Sequence, residues 1–257
     1  MVARAEARGV PASAADEGLA SLPLARCAAD NSGSLRIFGC TADIDIVTPG
    51  SDDWAVVTAP IRVQVHYDFA STLCYIAHRV MQRLAADLAA LELTLDWQPL
   101  DLTRITGWAR GAPVPDERRA NVERVARELR VAVHCPPRWM HSRWAHAIAL
   151  QLAGTPQEPV WRERVWTAVY ERGLDVSAAD GVDALLADAN LPASPDDRIA
   201  QLAILDDVTR QAYDAGVTGV PTFMLGPWPM PGIQDDHTMR ALLARFVSKQ
   251  RPAAALH

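Results

Sequence analysis

The chain has 257 residues, of which 49% are apolar and 22% charged, enough for a globular domain with a sizeable core. Its formal net charge is −6 and its basic residues are spread along the chain, which excludes nucleic acid and an anionic membrane as main partners, since both need a positive patch. The four cysteines, at 27, 40, 74 and 135, form neither a C-x-x-C nor a zinc pattern nor a disulfide framework, and read as free thiols of a reducing compartment.

Residues 1–59 read as an N-terminal extension. Its first 33 or so residues have no periodicity and resemble a disordered tail. Short β-like pieces (LRIF, DIDIV and WAVV) follow and suggest a small ribbon. Neither a signal-peptide core nor an apolar stretch of roughly 20 residues occurs, so the expected location is the cytoplasm. The folded domain is expected over 60–250, with 251–257 as a tail. IRVQVHYDF alternates Ile61, Val63 and Val65 and predicts a strand. A helix from Ser71 to about Leu91 follows, with Leu73, Ala77, Val80, Leu84, Leu88 and Leu91 on one face. LTLDW is the next strand, parallel to the first because a helix connects them.

The stretch 100–215 reads as a block made entirely of helices. One segment spans about 116–130, one begins near Arg138, and one runs from Pro159 to about Arg172. A last one is capped by Ser194, with Pro195 and Asp197 in an S-x-x-D box, and stops at Gly216. PTFML then predicts a strand, GPWP a turn and MPGIQ a second strand. A closing helix starts near Asp235, with Met239, Leu242, Leu243 and Phe246 facing inward.

Three motifs stand in this order: Tyr67-Asp68-Phe69-Ala70-Ser71-Thr72-Leu73-Cys74-Tyr75, Gly219-Val220-Pro221-Thr222-Phe223, and Gly232-Ile233-Gln234-Asp235. Together they resemble the DsbA family of thioredoxin-like proteins. The branch they resemble is that of FrnE-like proteins, 2-hydroxychromene-2-carboxylate isomerases and kappa-class glutathione transferases. The resemblance implies an α/β thioredoxin-like fold of the DsbA type, with an all-helical insertion between its βαβ and ββα halves. The chain departs from the isomerase pattern at Trp108 and His141, where those enzymes place Asn, and at Asp236, where many place Arg.

Ser71 stands where redox members carry their attacking cysteine. A thiol there is activated by the N–H groups and dipole at the start of a helix. A serine hydroxyl stays protonated and instead donates a hydrogen bond to another molecule's thiolate. The resemblance implies that this molecule is glutathione or another low-molecular-weight thiol, with no metal. Ser71 and Cys74 are the candidate catalytic residues, Cys74 holding the second cysteine position. Val220 and a cis Pro221 would offer backbone groups to the thiol's peptide part, and Gln234 and Asp235 would hold its far end. Asp68, at the end of the first strand, would tune the charge of the site. The local alternatives are an N-cap at Ser71 and Asp235, a buried apolar filler at Cys74, a plain turn at Pro221 and a solvated strand end at Asp68.

The tryptophans at 108, 139, 144, 161 and 166 are expected mostly in the core, with one or two lining an apolar pocket facing Ser71. The leading expectation is a glutathione-dependent isomerase, transferase or oxidoreductase acting on a small organic substrate; the resemblance also implies a homodimer. Two alternatives are a thiol–disulfide oxidoreductase working through Cys74 alone and a redox-inactive binding module.

Overall fold

The computed structural model describes residues 60–251; the side chain of Pro195 is outside the description. The expected tail, the β-like pieces before Pro60, Cys27, Cys40 and the last six residues lie outside the described residues.

The first strand, β1 (Ile61–Tyr67), buries Val63, Val65 and Tyr67 completely, while Arg62 and Gln64 are exposed. That alternation is the period-two pattern of a strand with one face on the core. Phe69, expected inside the strand, lies just beyond it.

Two helices follow instead of the single one expected: α1 (Thr72–Arg83) and α2 (Ala85–Ala90). The N–H of Leu84 is shared between the carbonyls of Val80 and Met81 at 3.2 Å each, which tightens the turn and ends the first helix. Strand β2 (Leu93–Pro99) then pairs in parallel with β1, Val63 opposite Leu95.

The insertion is less helical than its composition suggests. It holds α3 (Leu102–Thr106), α4 (Asp116–Glu128), α5 (Arg143–Gln151), α6 (Glu158–Tyr170), α7 (Ala179–Ala189) and α8 (Arg198–Asp214). Residues 107–115 and 129–142 are loops, so the helix expected from Arg138 begins five residues later. The loops bind each other: Gly111 N–H donates to Trp139 O at 2.8 Å, Trp139 N–H to Ala112 O at 2.9 Å and Val114 N–H to Pro137 O at 2.9 Å. They form a small ribbon that the sequence reading missed, as it missed α7. The box at Ser194 starts only a 3₁₀ turn, Pro195–Asp197, with Ser194 Oγ accepting from Asp196 N–H; α8 follows it.

Strands β3 (Thr222–Leu225) and β4 (Trp228–Pro231) form a hairpin turning at Gly226 and Pro227, three residues shorter than expected at its far end. Gly226 has φ 68°, which suits glycine in a tight hairpin. The sheet order is β2-β1-β3-β4, with β3 antiparallel to β1. Edge strand β4 carries Pro229 and Pro231, which blunt it against further pairing. The closing helix α9 (Asp236–Gln250) buries Met239, Leu243 and Val247, with Leu242 and Phe246 half-buried.

An aromatic group forms much of the core. Tyr67 meets Phe69, Trp97, Trp166 and His146 at ring distances of 5.1–5.8 Å. Trp161 and Trp166 are fully buried, as the helical spacing predicts. This packing holds the end of β1, and so the start of α1, against the helical insertion.

Candidate functional site

Chain direction builds the site. β1 ends at Tyr67, and Asp68 turns the chain through Asp68 O, which accepts from Ser71 N–H at 3.0 Å. Ser71 is then the N-cap of α1, with extended backbone at φ −95° and ψ 111°. Its side chain makes no capping bond to the helix. The residue sits at the wall of a cleft, 8% exposed.

The opposite wall comes from the insertion. Trp108 and Trp139, from the two loops of the ribbon, stack with centroids 3.7 Å apart and planes 16° apart. The Arg118 guanidinium, on α4, lies 4.5 Å from the Trp108 ring and 5.1 Å from that of Trp139. Thr72, Arg119, Arg138 and Cys135 complete the lining with apolar side chains; no carboxylate lines it. The free space is about 30 Å³, room for about one water. A larger groove, about 900 Å³, runs along α1 past Tyr75, Arg79, Arg83 and His134, but it excludes Ser71. Its Arg79 and Arg83 are already paired with Glu163, Glu171 and Asp236.

Asp68 is not a solvated strand end. It is 1% exposed, and its carboxylate accepts from Ala70 N–H at 2.8 Å, Leu102 N–H at 2.7 Å and the Ser142 hydroxyl. His146, fully buried, places Nε2 3.4 Å from the same carboxylate and 3.4 Å from Phe69 N. Burial pushes the Asp68 carboxyl up, but the His146, Ser142 and Ala70 contacts together hold it below its ordinary value. Asp68 therefore positions the α1 N-terminus. Ser142 and His146 were missed as partners. The signal was present in HSRWAH, whose second and last residues lie one helical turn apart on one face.

Cys74 lies one helical turn into α1. It is fully buried, and desolvation pushes its thiol up to about 12. A protonated, inaccessible thiol is no nucleophile. Cys135 is half-buried in the same cleft, its thiol also raised by burial.

The Val220–Pro221 peptide bond is cis, and Pro221 O accepts from Gly232 N–H at 2.7 Å. Val220 packs with Trp108 on a small apolar cluster of Leu100, Leu102, Ala212 and Val217, so the proline loop and the cleft wall share a support. The Gln234–Asp235 corner is not joined to Ser71 by any hydrogen bond or ion pair among the described residues. Gln234 is exposed, and Asp235 caps α9 by accepting from Thr238 N–H at 3.0 Å and Thr238 Oγ at 2.8 Å. Asp236, next to it, grips Arg83 through both carboxylate oxygens. Among the described residues no three His, Cys, Asp or Glu side chains gather as a metal-donor set.

The sequence profile of the DSBA-like thioredoxin domain matches residues 62–244. The chain belongs to the DsbA-like thioredoxin family. Solved structures agree on the fold. A 2-hydroxychromene-2-carboxylate isomerase is 19% identical, with a TM-score of 0.58 over 74% of this chain and 98% of the other. A probable DsbA oxidoreductase from Streptomyces coelicolor is 19% identical, at 0.60 over 76% and 94%. The cytosolic disulfide reductase DsbM from Pseudomonas aeruginosa, solved with GSH, is 17% identical, at 0.51 over 73% and 100%. No curated protein matches the chain in sequence. Within this DsbA-like frame Ser71 occupies the helix-start position and Pro221 the loop proline, which is where the motifs placed them.

Proposed function

We propose that this DsbA-like protein is a thiol-dependent enzyme in which Ser71 holds the sulfur of glutathione or another low-molecular-weight thiol. One observation carries the reading. The Ser71 hydroxyl stands at the start of a twelve-residue helix, is not spent on capping it, and faces a cleft walled by two tryptophans. A hydroxyl donor at a helix N-terminus favours a thiolate there. That thiolate then serves as nucleophile or base toward a small organic substrate lying against Trp108 and Trp139.

Isomerisation, conjugation and redox turnover all fit a bound thiolate. The structural likeness to an isomerase and to a disulfide reductase solved with GSH supports that range. Val220 and Pro221 are the backbone partners of the thiol in this reading, and the α9 corner at Gln234 and Asp235 its far contact. A cytoplasmic setting supplies the thiol, and the expected assembly is a homodimer. The buried, protonated state of Cys74 speaks against turnover through that residue alone.

Calorimetric titration of glutathione into the protein and into Ser71→Ala tests the reading. Saturable binding that weakens about tenfold in the variant, the worth of one charge-assisted hydrogen bond, is the expected result. Unchanged binding in Ser71→Ala removes Ser71 from the site. The absence of binding to both proteins leaves the redox-inactive binding module as the reading to pursue.

A further inference from the structure

The cleft over Ser71 is closed by a wall with an unusual charge balance. In a chain of net charge −6, it is lined by three arginines and no carboxylate. Arg119 is paired with Asp116 at 3.1 Å, and Arg138 donates to Gly111 O at 2.7 Å. Arg118 makes no ion pair and no hydrogen bond among the described residues. Arg118 is exposed at the mouth of the cleft; its guanidinium rests on the stacked indoles of Trp108 and Trp139, and the partial desolvation there, with no counter-charge, lowers its pKa. A guanidinium on an aromatic face has its edge donors free, and those donors match a carboxylate in a two-bond fork.

We infer that Arg118 is the specificity-determining residue of this cleft: it recognises a negative group on the incoming ligand and, in doing so, unlatches the Trp108–Trp139 wall. The inference rests on the reading that the ligand enters at Ser71. The two indoles sit on connected segments. Trp108 follows Gly107, at φ 65°, where α3 ends, and Trp139 is carried on the cross-bonded ribbon of Gly111–Val114 with Pro137–Trp139. With only about 30 Å³ free, displacing this wall would supply the room a ligand needs. The cation that holds the indoles together is also the group an anion would draw away. The ligand class is therefore a planar or flat-faced anion, whose ring replaces one indole contact and whose charge satisfies Arg118.

The test uses 2-mercaptobenzoate, which has a ring, a carboxylate and a thiol, and benzoate, which lacks the thiol. Both are titrated into the full-length chain and followed by calorimetry and tryptophan emission. Arg118→Met keeps an apolar stem on the indoles, and Arg124→Met, on the same helix and paired with Glu128 at 2.6 Å, is the control. Both anions are expected to bind and to shift the emission. Arg118→Met should weaken both about tenfold or more, and Arg124→Met neither. Affinities within twofold of the parent in Arg118→Met, or no saturable binding of either anion to the parent, overturn the inference. Ser71→Ala separates it from the thiol reading. Weakening of 2-mercaptobenzoate alone supports both. If Ser71→Ala changes neither affinity while Arg118→Met lowers both, the thiol reading falls and Arg118 stands.

Discussion

Two layers meet at the start of α1, and they treat their polar groups in opposite ways. Below Ser71, Asp68, Ser142 and the backbone N–H groups of Ala70 and Leu102 are bonded to one another out of reach of water, with His146 against the same carboxylate. Above it, the Ser71 hydroxyl and the Arg118 guanidinium face a cleft with no carboxylate in its lining. The buried groups hold the fold, and in the proposed reading the groups facing the cleft are the ones that meet a ligand. The contrast assigns roles to residues that look alike in sequence. Ser142 and Ser71 are both N-cap serines without a capping bond, but one hydroxyl goes to a buried carboxylate and the other faces the cleft.

The sharpest way to break this contrast is to empty the lower layer. Asp68→Ala strands three donors and a buried histidine, and should cost about 3–5 kcal/mol in urea unfolding. A cost below about 1 kcal/mol would mean that the layer is not structural. The same carboxylate predicts a pH dependence. Its folded pKa lies below the unfolded value, so its contribution is present above the ordinary carboxylate range and lost as pH falls through the folded value. Glu163, held down to about 2 by His78 first and then Arg79, acts in the same direction. Unfolding stability should therefore fall from about pH 4.5 downward, and NMR titration should find the Glu163 carboxyl ionised until near pH 2. A Glu163 midpoint near 4.5 would remove that residue from the account.

Cys74 tests the boundary between the layers. In the native protein, an alkylating agent at pH 7 should label Cys135 long before Cys74, as read by peptide mass spectrometry, because Cys74 is buried and pushed up to about 12. Cys74→Ala should cost roughly 1 kcal/mol, about one buried methylene, and leave glutathione binding unchanged. Ser71→Cys recreates C-x-x-C at a helix start and should confer insulin-reducing activity. Its complete inertness would argue that the upper layer does not present position 71 to a partner.

The smallest effect is expected at Asp235→Ala. It removes the α9 cap on Thr238 and lowers the melting temperature slightly. Glutathione affinity should fall slightly along with it, since the corner is the thiol's far contact in the proposed reading; unchanged affinity takes Asp235 out of the site.

The scaffold was legible because local patterns carry it. The alternation of Val63 and Val65, the apolar steps of α1, and Gly-Val-Pro-Thr-Phe leading into β3 are short-range signals, and each led to the right type of element. Ser71 and Pro221 were placed by motif for the same reason. The partners of those residues come from far along the chain. Asp68 reaches Leu102 at 34 residues' separation, Ser142 at 74 and His146 at 78, while the Trp108–Trp139 stack joins two loops read as helix. No periodicity encodes such pairings, because they depend on how the insertion folds back over the first βαβ unit. Local sequence alone therefore determined which residues start the helix and turn the loop. Tertiary packing decided which polar groups are spent inside and which are left for a ligand, since hydrogen-bond capacity is consumed only by neighbours that the fold brings within reach.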